Sequence, residues 1–462
     1  MKPMNATEDT LLYKSKDAAT VFTADQKKAA FDFSDGYKAF LDVAKTEREA
    51  VRFAIDLAKN HGYLPFEFGK KYKTGDKVYY SNRKKALVLA HIGKRPCVDG
   101  MSVVAAHVDS PRLDLKPNPL CEMDSIAYFR THYYGGIKKY QWPTIPLAIH
   151  GTIVLADGTS LDLTIGEKDD DPIFYITDLL PHLAQEQMKR VAGELTPGEN
   201  LKVVVGSLPV EDKDAKDAVK LAVLRYLNET YGIVEEDFIS AELTMVPAMR
   251  ARDVGFDRNL IASYGHDDRV CAYPGLMAML DAGTPEFTSV MVFADKEEIG
   301  SSGNTGLDSD FLFHFLSELC GDGNVHLAMQ NSCCLSADVN ACYDPIFSDV
   351  FEKQNSSLLN HGAVITKYTG ARGKSGTSDA SAEFMGKIRT ILNKNHVVWQ
   401  IGELGKVDQG GGGTVARYIA KFNMDVVDLG IPVLSMHATY EVISKLDLYS
   451  TYQACLAFYQ RG

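Results

Sequence analysis

The sequence predicts an α/β fold, a mixed central sheet flanked by helices, interrupted by an inserted β-rich second domain. Three observations carry this reading. Short, continuously apolar runs such as Ala86-Leu87-Val88-Leu89-Ala90 and Val290-Met291-Val292-Phe293-Ala294 suit strands buried on both faces. Helical stretches, with apolar residues three and four apart, lie between such runs. From about 118 to 245 the grammar changes to aromatic, alternating stretches, and it reverts from about 246. Residues 1–117 and 246–462 are therefore expected to form one discontinuous domain around an insertion at 118–245. A length of 462 residues leaves room for this, at roughly 100–200 residues per domain.

Taken in order, residues 25–61 read as helical, through Phe31, Phe33, Tyr37, Phe40, Leu41 and then Val51, Ala54, Ile55 and Leu57. Lys77 to His107 holds strand runs at Val78–Tyr80, Ala86–Ala90 and Met101–Ala106. In the insertion, Asp157-Gly158 reads as the turn between strands at Ile149–Leu155 and Leu161–Leu163. A charged helix follows over Asp212–Tyr231. Beyond 246, Ser289–Ala294, His396–Ile401 and Gly430–Ser435 are predicted strands, and Asp310–Leu319 a helix. No internal repeat is present, and Gly410 to Gly413 is the one low-complexity tract.

Composition narrows the class of function. With 45% hydrophobic and 24% charged residues, the chain is neither disordered, collagenous nor a coiled coil. A formal net charge of -12 argues against a nucleic-acid partner, which needs clustered Lys and Arg. No apolar run approaches the ~20 residues of a membrane helix. Met1 to Asp9 lacks the basic and apolar segments of a secretory signal. Eight Cys without a CxxC pair are expected to be reduced and mostly buried. The expectation is a soluble cytoplasmic protein.

The chemistry lies in five clusters, each after a strand run or a turn, the usual address of sites in open α/β sheets. The first is Ala106-His107-Val108-Asp109-Ser110. Here His107 can offer one ring nitrogen to a metal while Asp109 accepts the other ring N–H and fixes the tautomer. The second, Gly265-His266-Asp267-Asp268-Arg269, gathers two carboxylates, which is costly unless a cation compensates them. The third runs from a buried strand into Asp295-Lys296-Glu297-Glu298-Ile299-Gly300; one Glu can bind metal while the other takes a proton from water. The fourth and fifth are Ser336-Ala337-Asp338 and Ser435-Met436-His437. Singly, each is as well explained by a strand-end turn. Jointly they supply two His, two Asp and two Glu with no Cys, a donor set that suits Zn, Co or Mn. Paired metals about 3.5–4 Å apart hydrolyse amides, phosphates and related bonds.

These motifs resemble those of the M18 metallopeptidases, the aspartyl-aminopeptidase family among the co-catalytic zinc exopeptidases. The resemblance spans most of the chain and includes Asp237 to Leu243 and Gly412-Gly413-Thr414. It implies a zinc-exopeptidase central sheet and a cytoplasmic aminopeptidase that removes residues from the amino ends of peptides. It implies two zinc ions per subunit, bridged by Asp267, with His107 and Asp338 completing one and Glu298 and His437 the other. Glu297 would be the general base, and Asp109 would orient His107. A cis peptide after Asp267 is implied as well. So is a dodecamer built from dimers, in which the inserted domain dimerises and lends His182 to a neighbour's active site. Lys367 stands near the family's substrate lysine, but Tyr368 to Ala380 depart from its pattern, so a preference for acidic first residues does not carry over.

Three other readings compete. A two-metal hydrolase of small amides would use the same residues. An inactive shell of the same fold should have lost at least one ligand or the base, and all are present. A nucleotide-binding loop at Gly410–Gly413 lacks the lysine that cradles phosphates.

Overall fold

The computed structural model describes residues 11–211 and 215–461. The expectations placed on Met1 to Asp9 and on Asp212 fall outside the described residues.

A nine-stranded mixed sheet organises the larger part of the chain. Its order is Leu64–Pro65, Lys77–Asn82, Ala86–His91, Thr288–Ala294, Met101–His107, Cys333–Ser336, Asp425–Gly430, Ala363–Thr366 and Trp399–Ile401. The four strands from Thr288–Ala294 to Asp425–Gly430 are mutually parallel. Ala86–His91 and Ala363–Thr366 run antiparallel on either side of them. Alternate residues point to opposite faces. Leu87, Leu89, Val104, Met291 and Phe293 enter one core, and Val88, Ala90, Val103, Val290 and Val292 the other. Both faces are covered by helices, which explains why these strands read as unbroken apolar runs.

The predicted helix over 25–61 is two helices, Ala24–Val43 and Glu47–Asn60. Apolar spacing persists across the join, but Thr46 stops the first period and starts the second. Its hydroxyl accepts from the Glu49 amide, and the Glu49 carboxylate accepts from the Thr46 amide at 3.0 Å. The helix expected from Asp212 starts at Ala218. The run His396–Ile401 pairs only over Trp399–Ile401. The expected strand Gly430–Ser435 divides. Gly430 closes a main-sheet strand that starts at Asp425, and Pro432–Val433 pairs separately with Asn340–Ala341. The strand Asp425–Gly430 was hidden by Asp428, a buried carboxylate that accepts from the Thr414 hydroxyl at 2.8 Å.

The second sheet has six strands in the order Ser160–Ile165, Leu147–Val154, Ala241–Pro247, Arg112–Met123, Ile126–Tyr134 and Lys202–Gly206, all antiparallel. It begins at Arg112, ahead of the expected 118, and closes at Pro247. Gly158, at φ 86, turns the hairpin between Leu147–Val154 and Ser160–Ile165. This sheet has its own core around Leu113, Phe129, Trp142, Ile153 and Phe238.

A small third sheet of Arg252–Val254, Leu260–Ser263 and Glu441–Ser444 sets Ser263 opposite Glu441, just ahead of Asp267.

Candidate metal centre

Topology gathers the polar clusters at one edge. His107 ends its strand, Asp338 follows Cys333–Ser336, and Glu297 and Glu298 follow Thr288–Ala294. These three strands are parallel neighbours, so their exits converge. Asp267 enters from the first turn of the helix His266–Asp281, and His437 from the loop after Pro432–Val433. The peptide between Asp267 and Asp268 is cis.

Five of the sequence-predicted residues meet. His107, Asp267 and Asp338 form one triad of donor atoms, and Asp267, Glu298 and His437 a second, each with its atoms within 4.8 Å of one another. Asp267 belongs to both. Its Oδ1 lies 3.2 Å from His107 Nε2 and its Oδ2 lies 3.1 Å from His437 Nε2. His437 Nε2 is also 3.5 Å from Glu298 Oε1, and His107 Nε2 is 3.9 Å from Asp338 Oδ1. Donor atoms about 2.1 Å from a shared tetrahedral ion stand roughly 3.4 Å apart, so this spacing fits.

The other ring nitrogens say what the facing ones are. His107 Nδ1 lies 3.0 Å from the Asp109 carbonyl, and His437 Nδ1 lies 2.8 Å from the Gly136 carbonyl. A carbonyl only accepts, so both Nδ1 atoms carry the proton, and in the neutral rings both Nε2 atoms present lone pairs. Those lone pairs face carboxylate oxygens. Asp267 Oδ1 and Glu298 Oε1 are buried without a hydrogen bond. Lone pairs aimed at lone pairs inside a protein call for a proton or a metal ion between them; where no ion is bound, the facing carboxylates raise both imidazoles against the pull of burial, His437 to about 10.

Charge tells the same story. Burial pushes Glu298 and Asp338 well above the carboxylate range, with Asp267 and Asp268 respectively adding to the effect. Burial lifts Glu297 to about 7, against the opposing pull of His107 and with the help of Asp109 and Asp267. Asp267 is buried too, but His107 and His437 hold its carboxyl below the usual range. A divalent ion would relieve the crowding.

A supporting layer fixes these side chains, and sequence reasoning missed most of it. Asp109, fully buried, accepts from the amides of Glu297 and Glu298 at 3.1 and 3.2 Å and from the Tyr134 hydroxyl at 2.7 Å. Glu441 accepts from the amides of Asp267 and His437 at 3.1 and 2.7 Å. Burial, with Asp267 beside it, raises Glu441 to about 8. Ser110 donates to the Asp267 carbonyl at 2.6 Å. Gly135 leaves no spare room: a Cβ there would stand 3.3 Å from Glu298 Oε2. Glu441 shared its sequence stretch with His437 and was open to notice. Tyr134 and Gly136 carried no signal, because they arrive from the second sheet.

A sequence profile described as Aminopeptidase I zinc metalloprotease (M18) matches residues 40–459. The chain belongs to the M18 family of zinc metallo-aminopeptidases. A probable M18 family aminopeptidase 1 from Clostridium acetobutylicum is 47% identical to it, over 97% of this chain and 98% of that one. The crystal structure of an M18 aminopeptidase from Thermotoga maritima superposes with a TM-score of 0.94 at 43% identity, covering 98% of this chain and 100% of that one. The S. cerevisiae mApe1 dodecamer shares the fold, with a TM-score of 0.76 at 20% identity, over 95% of this chain and 97% of that one.

Two predicted residues of this M18 aminopeptidase lie apart from the triads. His182 is exposed, between the exposed Leu180 and Leu183, and supplies no atom to either triad among the described residues. Lys367 is half-exposed, and its ammonium group pairs with Asp379 at 2.5 Å. Asp379 also binds Lys374, at 2.8 Å. No helix among the described residues is long and apolar enough to cross a membrane.

Proposed function

We propose that this aminopeptidase hydrolyses the first peptide bond of its substrates with two divalent metal ions per subunit, zinc by preference, with cobalt or manganese also suited to the donors. The observation that carries this reading is Asp267. One carboxylate serves two triads, each oxygen facing a different imidazole. His107 and Asp338 complete one ion's ligands, and Glu298 and His437 the other's.

Such ions, when bound, polarise the scissile carbonyl and lower the pKa of water. Glu297 does the proton work. It belongs to neither triad and lies 4.0 Å from His107 Nε2. A carboxylate so placed, free of ligand duty, takes a proton from water and returns it to the departing amine. The amides of Glu297 and Glu298 are both anchored on Asp109, so base and ligand keep a fixed spacing. Asp109 also orients His107, whose ring N–H its carbonyl accepts.

The discontinuous segments 1–117 and 246–462 serve as the catalytic domain, and 118–245 serves dimerisation and substrate binding. The solved dodecamer of the S. cerevisiae protein makes a closed assembly of dimers the matching proposal here, with His182 serving a neighbour's site. Free cysteines, eight in all, suit a cytoplasmic enzyme. Lys367 borders the substrate, where its pairing with Asp379 competes with an acidic first residue for the ammonium group.

The test is a panel of aminoacyl chromogenic amides with acidic, basic and apolar first residues. Each is run as purified, after chelation, and after Zn, Co or Mn is restored. Glu297→Gln is expected to lower kcat about 10²–10⁴-fold with KM little changed. Activity that survives complete chelation, or persists in the variant, would sink the reading. Intact aminoacyl amides alongside cleaved acyl-amino substrates would point to a small-amide hydrolase.

A further inference from the structure

The loop that leaves the second sheet touches the metal centre on three sides. Tyr134 ends the strand Ile126–Tyr134, and its hydroxyl donates to Asp109 Oδ2 at 2.7 Å. Gly135, at φ 74, packs against Glu298, and a Cβ there would press on that carboxylate. The Gly136 carbonyl holds His437 Nδ1 at 2.8 Å. None of these groups belongs to the nine-stranded sheet that carries the ligands.

Asp109 is where this contact has the most leverage. Its two oxygens receive three donors: the amides of Glu297 and Glu298 and the Tyr134 hydroxyl. Its Oδ1 also stands 3.3 Å from His107 Nδ1. The rotation of this one carboxylate therefore sets the short turn bearing the base and a ligand, and it steadies the His107 ring. Two of the donors are backbone amides of the turn being positioned. Only the Tyr134 hydroxyl comes from outside it.

The hydroxyl is itself held in place. Tyr134 is almost fully buried, and the Arg112 guanidinium lies over its ring at 4.1 Å. Arg112 is tied to Asp114 at 2.8 Å and to Glu47 at 3.1 Å. Glu47 starts the helix Glu47–Asn60. Burial pushes the phenol far above its ordinary range, so it stays a donor.

We propose that Tyr134 is a positioning residue through which the inserted domain sets the geometry of the metal centre, by fixing Asp109 and, through it, His107 and the Glu297–Glu298 turn. This rests on the two-metal reading above.

Tyr134→Phe removes one oxygen and keeps the ring under Arg112. Zinc affinity of the metal-free protein, read by competition with a chromophoric chelator, is expected to weaken about 10–100-fold, the usual effect of losing a partner that orients a ligand. At saturating zinc, kcat should fall while KM holds, and the unfolding midpoint of the loaded protein should stay close to that of the wild type. In an Asp109→Asn background the same change should have little further effect, because the acceptor it acts through is altered. The proposal is overturned if zinc affinity and kcat stay within twofold of wild type, or if the two substitutions act independently. Wild-type protein that binds no zinc would remove the metal reading itself, a result distinct from either.

Discussion

Asp267 concentrates the chemistry in one side chain. A carboxylate has two oxygens about 120° apart, and here each faces its own imidazole lone pair. Ala removes both oxygens, so neither triad keeps its shared member. Asp267→Ala should therefore empty both triads, whereas Asp338→Ala should disturb only the triad it shares with His107. Zinc per subunit, counted by elemental analysis after dialysis, is expected near zero for the first and near one for the second. Activity should fall further than the roughly 10–100-fold that loss of a merely supporting residue costs. Equal zinc loss in the two variants would contradict a bridging role for Asp267. The ligand candidates were legible in sequence because each follows a strand run or a turn and because together they match the M18 motifs, whereas singly each is as well explained by a strand-end turn. His107, Asp338 and the Glu297–Glu298 pair show this plainly. Tyr134 and Gly136 were not legible, because they act on one carboxylate and one ring nitrogen across distances that only the folded chain closes.

At the scale of elements, local pattern and tertiary contact divide the information differently. The buried strands were readable because both their faces are apolar; Asp425–Gly430 was not, because Asp428 is buried with the Thr414 hydroxyl as partner. The join between the first two long helices illustrates the same limit. Periodicity runs through it, and only the Thr46–Glu49 cap shows the break. Glu49 has a second task that no local rule contains. It accepts from His150 Nδ1 at 2.8 Å, and Glu167 faces His150 Nε2 at 2.9 Å, with Lys45 at 2.7 Å from Glu167. This buried cluster joins the helix Glu47–Asn60 to the second sheet. Between its carboxylates His150 is raised above 6.5: burial opposes the charge, but Glu167 and Glu49 outweigh it. Its contribution is complete below pH 6.5 and is lost as pH climbs through the raised value. Glu49 and Glu167 are lowered below 4.5, against burial, by His150; their contribution is complete above pH 4.5 and is lost as pH falls through the lowered values. The cluster is thus most stabilising between pH 4.5 and 6.5. His150→Ala leaves two buried carboxylates facing a void and should cost on the order of 3–5 kcal/mol there. Urea unfolding across pH reads this directly: the gap between wild type and variant should narrow as pH leaves that window on the alkaline side. A gap independent of pH would mean that His150 is neutral in the fold.

For the whole molecule, the surface of the insertion argues for association. Ile173, Leu179, Leu180, Leu183, Met188 and Val191 are all exposed within one stretch of chain, with relative exposures from 51% to 72%. Apolar surface gathered this way marks a contact site more often than an idle face. His182 sits in its midst. Sequence pattern alone could not mark such a stretch as a contact, because its exposure is a property of the folded chain. Scattering mass should therefore be a multiple of the 50.9 kDa chain. Subunit mixing then asks whether His182 works in trans. His182→Ala chains keep Glu297 but lack the imidazole, and Glu297→Gln chains keep the imidazole but lack the base. If the imidazole serves the neighbouring subunit of an isologous pair, co-expressed chains form mixed pairs in which one site has both groups. Random pairing of equal amounts should then restore about a quarter of wild-type activity, well above either parent assembled alone. Mixed assemblies no more active than the parents would confine His182 to its own chain or to the surface contact, and a 50.9 kDa particle in solution would remove the neighbour altogether.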